Sequence, residues 1–402
     1  MTQSLFKYTI IGGGLAGVSA IDGIREIDKD GAILLIGRES HLPYHRPPLS
    51  KKLWTGKKKV EEIFVRNHEY FDENNVELSL GTEVTGLDIS SNSIFTIHGK
   101  VYRYEKLLLA TGGESRTLDI PGGDHEGLIY FRHLDDYLRS TKSALEGRSA
   151  LIIGGGFIGT EMAAALHGKN VDVTMIFPGG WFCRNVFPEN LGKAIQDEFI
   201  AKGIKVFPGD KPASIEEKND RFFTKTANSA TIASDFVVLG IGLKASTELA
   251  ENSGLETSDG IMVNDRLRTS DPDIYSAGDN TNFPYIALGK RMRIEHWDNA
   301  LNQGIHAGRN MAGADKPYDY MPYFFSDLFD FGYEAVGDID ASLETLTNWK
   351  EENKTGIIYY AERGKVRGMM MCNVWDKVDT AREIIREETN VAIGNLPDLG
   401  DE

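Results

Sequence analysis

Two glycine triplets carry the first recognisable chemistry in this chain. Gly12, Gly14 and Gly17 stand as G-x-G-x-x-G after the apolar run Tyr8 to Ile11, and Gly154, Gly156 and Gly159 repeat the spacing inside SALIIGGGFIG. Between a strand and a helix this is a dinucleotide fingerprint: one glycine for the tight turn, one for close approach of a pyrophosphate, one for helix–strand packing. The phosphates would sit at the helix N-terminus, where backbone N–H groups lack partners and the dipole is positive. One copy can arise from packing alone. Two complete strand–turn–helix copies predict two dinucleotides in two Rossmann-like halves.

Other residues stand at the places where such halves do their work. Glu39 follows the apolar run AILLI, where an acid bonds the adenosine ribose, and Arg38 before it would stack on adenine or sit in solvent. The second half has no acid there: Phe177-Pro178-Gly179-Gly180 occupies the position, with Arg184 a few residues on, so NADH and NADPH both stay open. KLLLATGG, with Thr111 and Gly112, reads as a strand returning beneath a bound cofactor. DIYSAGD places Asp279 on a turn suited to a ribityl or phosphate group. IEHWDNALNQG sets Glu295, His296 and Trp297 side by side at the passage from strand to helix. Cys183 and Cys372 are the only two cysteines and form no C-x-x-C, which argues against dithiol exchange. No His or Cys cluster proposes a metal site.

The elements that must hold these residues follow from the pattern. Helices are expected over Ala16 to Ile27, Thr160 to His167 and Lys377 to Glu388, and strands over Ala32 to Ile36, Val171 to Phe177 and Phe236 to Gly242. Residues 76–104 read as a small antiparallel meander. Leu42 to Trp54, with Pro43, Pro47 and Pro48, reads as a stiff extended loop in which Ser50 caps the following turn. From about Pro317 the aromatic density and alternation change, which marks a separate sheet-plus-helix domain ending in an acidic tail expected to fray.

Composition bounds the rest. A chain of 402 residues can hold two or three domains with real cores, and 41% hydrophobic with 26% charged residues is ordinary globular usage. No apolar run approaches the ~18 residues that span a bilayer, so no membrane partner is expected. The formal charge of −16 argues against nucleic acid as a partner. MTQSLFKYTIIGGG enters the first strand at once, so no signal or transit peptide and a cytoplasmic location are expected. The basic run Lys57 to Lys59 is either solvated loop or a docking patch for an acidic partner.

The two fingerprints, the ATGG and SAGD turns and the RPPLSK loop stand in the order found in two-dinucleotide flavoprotein reductases. The loop and IEHWDNALNQG resemble the ferredoxin/rubredoxin reductase branch. FFSDLFDFGYEAVGDID and NVWDKVDTAREII resemble its apoptosis-inducing-factor-like members. The resemblance covers nearly the whole chain, which lacks the long C-terminal-domain insertion of the animal proteins. It implies an α/β chain of glutathione reductase-like architecture: two Rossmann-like domains, for FAD (1–113 and 243–319) and NAD(P) (114–242), and a C-terminal α+β domain (320–402).

Residue by residue, the resemblance implies that Gly12, Gly14 and Gly17 hold the FAD pyrophosphate and Arg38 and Glu39 the adenosine. Arg46 would meet the phosphates, Lys51 would lie by flavin N5, Val84 would touch the adenine end, and Arg132 would reach the flavin. Asp279 would bond the ribityl chain, and Glu295, His296 and Trp297 would border the isoalloxazine and nicotinamide. Phe325 stands where the animal proteins carry a stacking tryptophan. Phe157 would cover the flavin face until nicotinamide displaces it. Gly155, Gly156, Ile158 and Gly242 would line the pyridine nucleotide, and Glu161 would pair with Lys51. The residues expected to bear on catalysis are Lys51, Glu161, Phe157 and His296.

The function implied is an FAD-dependent NAD(P)H oxidoreductase. Hydride would pass from nicotinamide C4 to flavin N5, and electrons onward to a ferredoxin- or rubredoxin-type protein, a quinone or oxygen. Lys51, Lys52, Lys57, Lys58, Lys59, Lys290, Arg291 and Arg293 are candidate docking cations for a small acidic carrier. The alternative is a redox-responsive protein in which a long-lived charge-transfer complex of reduced flavin and NAD+ controls homodimerisation and partner binding.

Overall fold

The computed structural model describes residues 4–390; the acidic tail expected to fray lies at 391–402, outside them. The chain divides into two units. The first takes residues up to His45, Val60–Glu114 and Lys244–Pro322; the second takes Arg46–Lys59, Ser115–Leu243 and the chain from Tyr323. The Arg46–Lys59 loop and the C-terminal sheet thus group with the second fingerprint.

In the first unit, β1 (Ser4–Ile11), helix α1 (Leu15–Ile27) and β2 (Ile33–Ile36) form the first strand–turn–helix–strand. β1 lies parallel between β2 and the strand Val101–Leu109, which in turn pairs parallel with Ile274–Ser276. Ile10, Leu34, Leu107 and Leu109 are fully buried on this sheet, which explains the apolar runs: parallel strands covered on both faces have no solvent side. The expected meander is corrected at one strand. Val76–Ser79 pairs parallel with β2, because the short helix His68–Glu73 before it supplies the crossover. Val84–Asp88, Ser93–Thr96 and Val101–Leu109 are antiparallel neighbours.

The second unit repeats the plan with β3 (Ser149–Ile153), α2 (Phe157–His167) and β4 (Asp172–Phe177), β3 and β4 being parallel. Helix α2 begins at Phe157, three residues before the expected start, so Phe157 and Ile158 belong to its first turn. Leu42 to Trp54 is not extended throughout: Pro47–Ser50 is a 3-10 turn, for which proline at the first position already has the right φ. Ser50 does not cap the turn that follows it; its hydroxyl goes elsewhere, as described below.

In the first unit, the strand expected at Ile294 lies earlier, at Lys290–Arg293, and helix α3 runs over Trp297–Met311 with His296 at its N-cap. The second unit closes with a five-stranded antiparallel sheet that begins at β5 (Tyr323–Leu328) and carries the helix Val378–Arg386.

Helices α1 and α3 explain how the first site is held. A Cβ on Gly23 would lie 2.0 Å from the Ile305 carbonyl oxygen, one on Gly304 2.3 Å from that of Ala16, and one on Gly308 2.1 Å from that of Ala20. The two helices therefore meet backbone to backbone, and no side chain larger than hydrogen fits at those three crossings. Their close contact fixes the N-terminus of α3 relative to the first glycine turn.

Candidate functional site

The two glycine turns have the same local geometry. Gly12 has φ +127° and Gly154 φ +129°, which disfavours other residues. A Cβ would fall 2.0 Å from the Ala110 oxygen at Gly12 and 2.2 Å from the Gly240 oxygen at Gly154. The third glycines face back into the turns: a Cβ on Gly17 would lie 2.0 Å from the Gly12 oxygen, and one on Gly159 2.1 Å from the Gly154 oxygen. The middle glycines differ from these. A Cβ on Gly14 or Gly156 would meet nothing within 4 Å, and neither helix has a side-chain cap. Each turn is thus rigid where the chain must pack and open where helix N–H groups point outward, the shape and polarity that a pyrophosphate requires.

Around the first turn, Thr111 Oγ1 donates to the Ser246 carbonyl at 2.7 Å and accepts from Asn280 Nδ2 at 3.0 Å. The Gly112 carbonyl accepts from Ser246 N–H at 3.0 Å. Asp279 sits in the turn after Ile274–Ser276, where the Gly278 N–H donates to Gln303 Oε1 at 2.9 Å. The Gln303 amide nitrogen is buried and has no hydrogen-bond partner among the described residues. A buried donor beside this turn suits an oxygen-rich group such as the FAD diphosphate or ribityl chain. The turns and this amide together fit FAD.

Glu39 accepts the Tyr44 hydroxyl at 2.5 Å, while Arg38 is exposed and ion-paired with Glu114. Val84 is partly buried against the apolar core that includes Leu109 and Ile94. At the start of α3, Arg293 bonds Glu295 at 2.6 Å and the Asp279 carbonyl at 2.9 Å. Trp297 Nε1 donates to His45 Nδ1 at 3.0 Å. Burial pushes the His296 pKa down to about 4 against the opposing pull of Asp279, so the imidazole is neutral at pH 7. His45 was not expected from the sequence. Its place just before RPPLSK offered no local signal for a bond to Trp297.

In the second unit Glu161 is buried on α2 and tied from three directions. Lys51 Nζ lies 3.2 Å from Oε1, Ser50 Oγ donates to Oε2 at 2.5 Å, and Ser326 Oγ on β5 donates to Oε1 at 2.5 Å. Lys51 also reaches the Phe325 carbonyl at 3.3 Å and lies 4.8 Å from that ring's centre. Phe325 itself is 37% exposed. Phe157 packs on Phe324 with ring centroids 5.6 Å apart. Arg46 donates to the Arg132 carbonyl at 2.6 Å, so these two expected flavin contacts meet through the backbone. Gly155 faces the Phe177 ring, Ile158 is exposed, and Gly242 has φ +99° with its carbonyl accepting from Arg116 N–H at 2.9 Å. Ser50 and Ser326 were not expected as partners of Glu161.

Of the expected docking cations, Arg291 donates to the Val263 and Asn282 carbonyls, and Arg293 is held by Asp259 and Glu295. Arg293 is thereby neutralised within its own unit, whereas Arg291 is exposed. Lys52, Lys57 and Lys59 are exposed. Cys183 and Cys372 are free and buried, and burial pushes both thiols far above the ordinary range. Among the described residues no helix is long and apolar enough to cross a membrane, and no cluster of three or more His, Cys, Asp or Glu is placed to hold a metal ion.

Comparison with known proteins agrees with this geometry. Residues 6–304 match the family described as pyridine nucleotide-disulphide oxidoreductase, and residues 307–355 match the C-terminal region of mitochondrion-associated apoptosis-inducing factor. The chain is 33% identical to apoptosis-inducing factor 1, mitochondrial, of Dictyostelium discoideum, over 96% of this chain and 79% of that protein. It is 32% identical to rubredoxin-NAD(+) reductase of Pseudomonas putida, over 84% of this chain and 89% of that one. A solved covalent complex of putidaredoxin reductase with putidaredoxin superposes with a TM-score of 0.92 at 27% identity, covering 99% of this chain and 96% of that chain. The chain belongs to the pyridine nucleotide-disulphide oxidoreductase family, as a flavoprotein oxidoreductase that works with FAD and NADH or NADPH.

Proposed function

We propose that this protein takes hydride from a nicotinamide nucleotide and passes electrons to a small ferredoxin- or rubredoxin-type carrier, with quinones or oxygen as lesser acceptors. FAD supplies a site that accepts two electrons and can release them singly. The chain supplies binding and electrostatics. Gly12, Gly14 and Gly17 would hold the FAD diphosphate, and Gly154, Gly156 and Gly159 that of the nicotinamide nucleotide. Lys51 would supply a cation to the reduced flavin, and Glu161 offsets the cost of burying that cation. His296, neutral at working pH, would border the ring without adding charge. Phe157 opens α2 beside the second glycine turn and would yield its place to the nicotinamide.

The observation that carries an external acceptor is the state of the thiols. The chain's two cysteines are both buried and free, so no accessible dithiol can relay the electrons. The relatives that reduce rubredoxin or bind putidaredoxin support a protein carrier. The test is anaerobic reduction by NADH or NADPH followed by mixing with a small iron–sulfur protein. Reoxidation at least tenfold faster than by oxygen or a quinone is expected; no advantage for the carrier would refute it.

A second reading is favoured by identity to an apoptosis-inducing factor over nearly the whole chain. In that case the same experiment gives a persistent long-wavelength absorbance, slow turnover with every acceptor and a shift from monomer to dimer on sizing.

A further inference from the structure

The far end of β4 is where the second dinucleotide-binding half reads the adenosine ribose. An acid there bonds the 2′-hydroxyl and repels a 2′-phosphate, whereas an arginine attracts that phosphate. Here β4 ends in Phe177 and runs on through Pro178, Gly179 and Gly180. The nearest acid along the neighbouring strand is Asp210, whose N–H bonds the Phe177 carbonyl. Its carboxylate is already committed, accepting from Lys211 N–H at 2.8 Å and Asn228 N–H at 3.2 Å. It is 8% exposed and caps its own turn.

Arg184 occupies the vacant position. A Cβ on Gly179 would lie 3.0 Å from Arg184 Cδ and 3.6 Å from Cγ, so the arginine stem lies along the bare glycine. The segment that carries it is anchored to the fingerprint: Cys183 N–H donates to the Gly155 carbonyl at 2.8 Å, and Phe187 N–H closes the turn on the Cys183 carbonyl at 2.8 Å. The side chain is exposed, and its guanidinium makes no hydrogen bond or ion pair among the described residues. A chain with a net charge of −16 offers many carboxylates, yet none neutralises this cation. A planar donor fork on a fixed turn, at the end of the ribose-reading strand, matches a phosphate monoester.

We propose that Arg184 receives the 2′-phosphate of NADPH and that this protein prefers NADPH to NADH. The inference deepens the function proposed above and rests on it. The FAD-loaded protein is titrated by calorimetry with adenosine 2′,5′-bisphosphate and with 5′-AMP, and its anaerobic reduction by NADPH and NADH is followed separately. Wild type binds the bisphosphate at least tenfold more tightly than 5′-AMP and has a KM for NADPH at least tenfold below that for NADH. Arg184→Ala lowers both ratios about tenfold, and Gly179→Glu, which restores an acid beside the ribose, inverts them. A wild-type ratio at or below one, or a ratio unchanged in Arg184→Ala, overturns the inference. If the bisphosphate is favoured but neither nucleotide reduces the flavin, the proposed function falls and the role of Arg184 stands. If NADH reduces the flavin and the bisphosphate has no advantage, the reverse holds.

Discussion

Glu161 is a buried side chain with every oxygen committed, to a lysine and two hydroxyls. Removing one partner of a buried pair costs more than removing both, because the survivor keeps its desolvation penalty. Lys51→Met is therefore expected to lower stability by about 3 kcal/mol. Ser326→Ala should cost about 1 kcal/mol. The Lys51→Met/Glu161→Gln pair should cost less than Lys51→Met alone. Urea midpoints of the FAD-loaded protein check the order, and a double variant no better than Lys51→Met would show that the pair is not coupled. Rapid-mixing of Lys51→Met with NADPH should show retained FAD and a changed rate of flavin reduction. His296 makes a pH prediction. Its pKa is about 4 folded and 6.5 unfolded, so the unfolded chain takes up the proton first and stability falls as pH drops from 6.5 toward 4. Between pH 7 and pH 5 the loss is about 2 kcal/mol. His296→Gln should lose correspondingly less over that window, and an equal loss in both proteins would remove His296 as the cause.

At the scale of elements, the glycines divide by what lies beyond their α-hydrogens. Gly12→Ala would drive a methyl group into the Ala110 carbonyl and Gly304→Ala into that of Ala16. Both are expected to cost several kcal/mol, at the upper end of single substitutions, and to lower the melting temperature of the FAD-free protein. Gly14→Ala faces open space. It should fold with nearly the wild-type melting temperature and lose FAD affinity at least tenfold, because on the proposed reading the methyl group would stand where the diphosphate approaches. Equal FAD affinity in Gly14→Ala and wild type, measured by flavin fluorescence on dilution, would reject this placement. The strand–turn–helix units were legible in sequence because apolar runs and turn glycines act over a few residues. Gly304 and Gly308 carried a local signal too, a small-residue pair four apart, which reads as backbone contact once α1 is placed against it. Other parts were not legible. Ser50, Ser326 and His45 meet partners 111, 165 and 252 residues away, and no local pattern encodes such a pairing. The parallel pairing of Val76–Ser79 was hidden for a similar reason: register depends on the strand it meets, not on its own four residues.

At the scale of the whole molecule, a net charge of −16 repels an acidic carrier unless positive charge is concentrated where the carrier docks. Arg293 does not supply it, since Asp259 and Glu295 of its own unit neutralise it, while Arg291 is exposed and bonded to the Val263 and Asn282 carbonyls, which leave its charge in place. Lys57 to Lys59 is a run of three cations on the Arg46–Lys59 loop, the segment that also carries Ser50 and Lys51 to Glu161. A docking run on that segment would bring the carrier to the same loop that holds Lys51. Such steering acts on the encounter rate and weakens with salt, because the Debye length shrinks from about 30 Å at 0.01 M to about 10 Å at 0.1 M. Replacing Lys57, Lys58 and Lys59 by glutamine should slow reduction of an acidic iron–sulfur carrier about tenfold at 10 mM salt, with the difference shrinking at 300 mM. Reduction of a small uncharged dye should keep its rate at both salts, since it needs no steering. If the triple variant reduces carrier and dye at wild-type rates in 10 mM salt, the lysines are ordinary solvated surface, and a carrier, if one docks, must do so on another face.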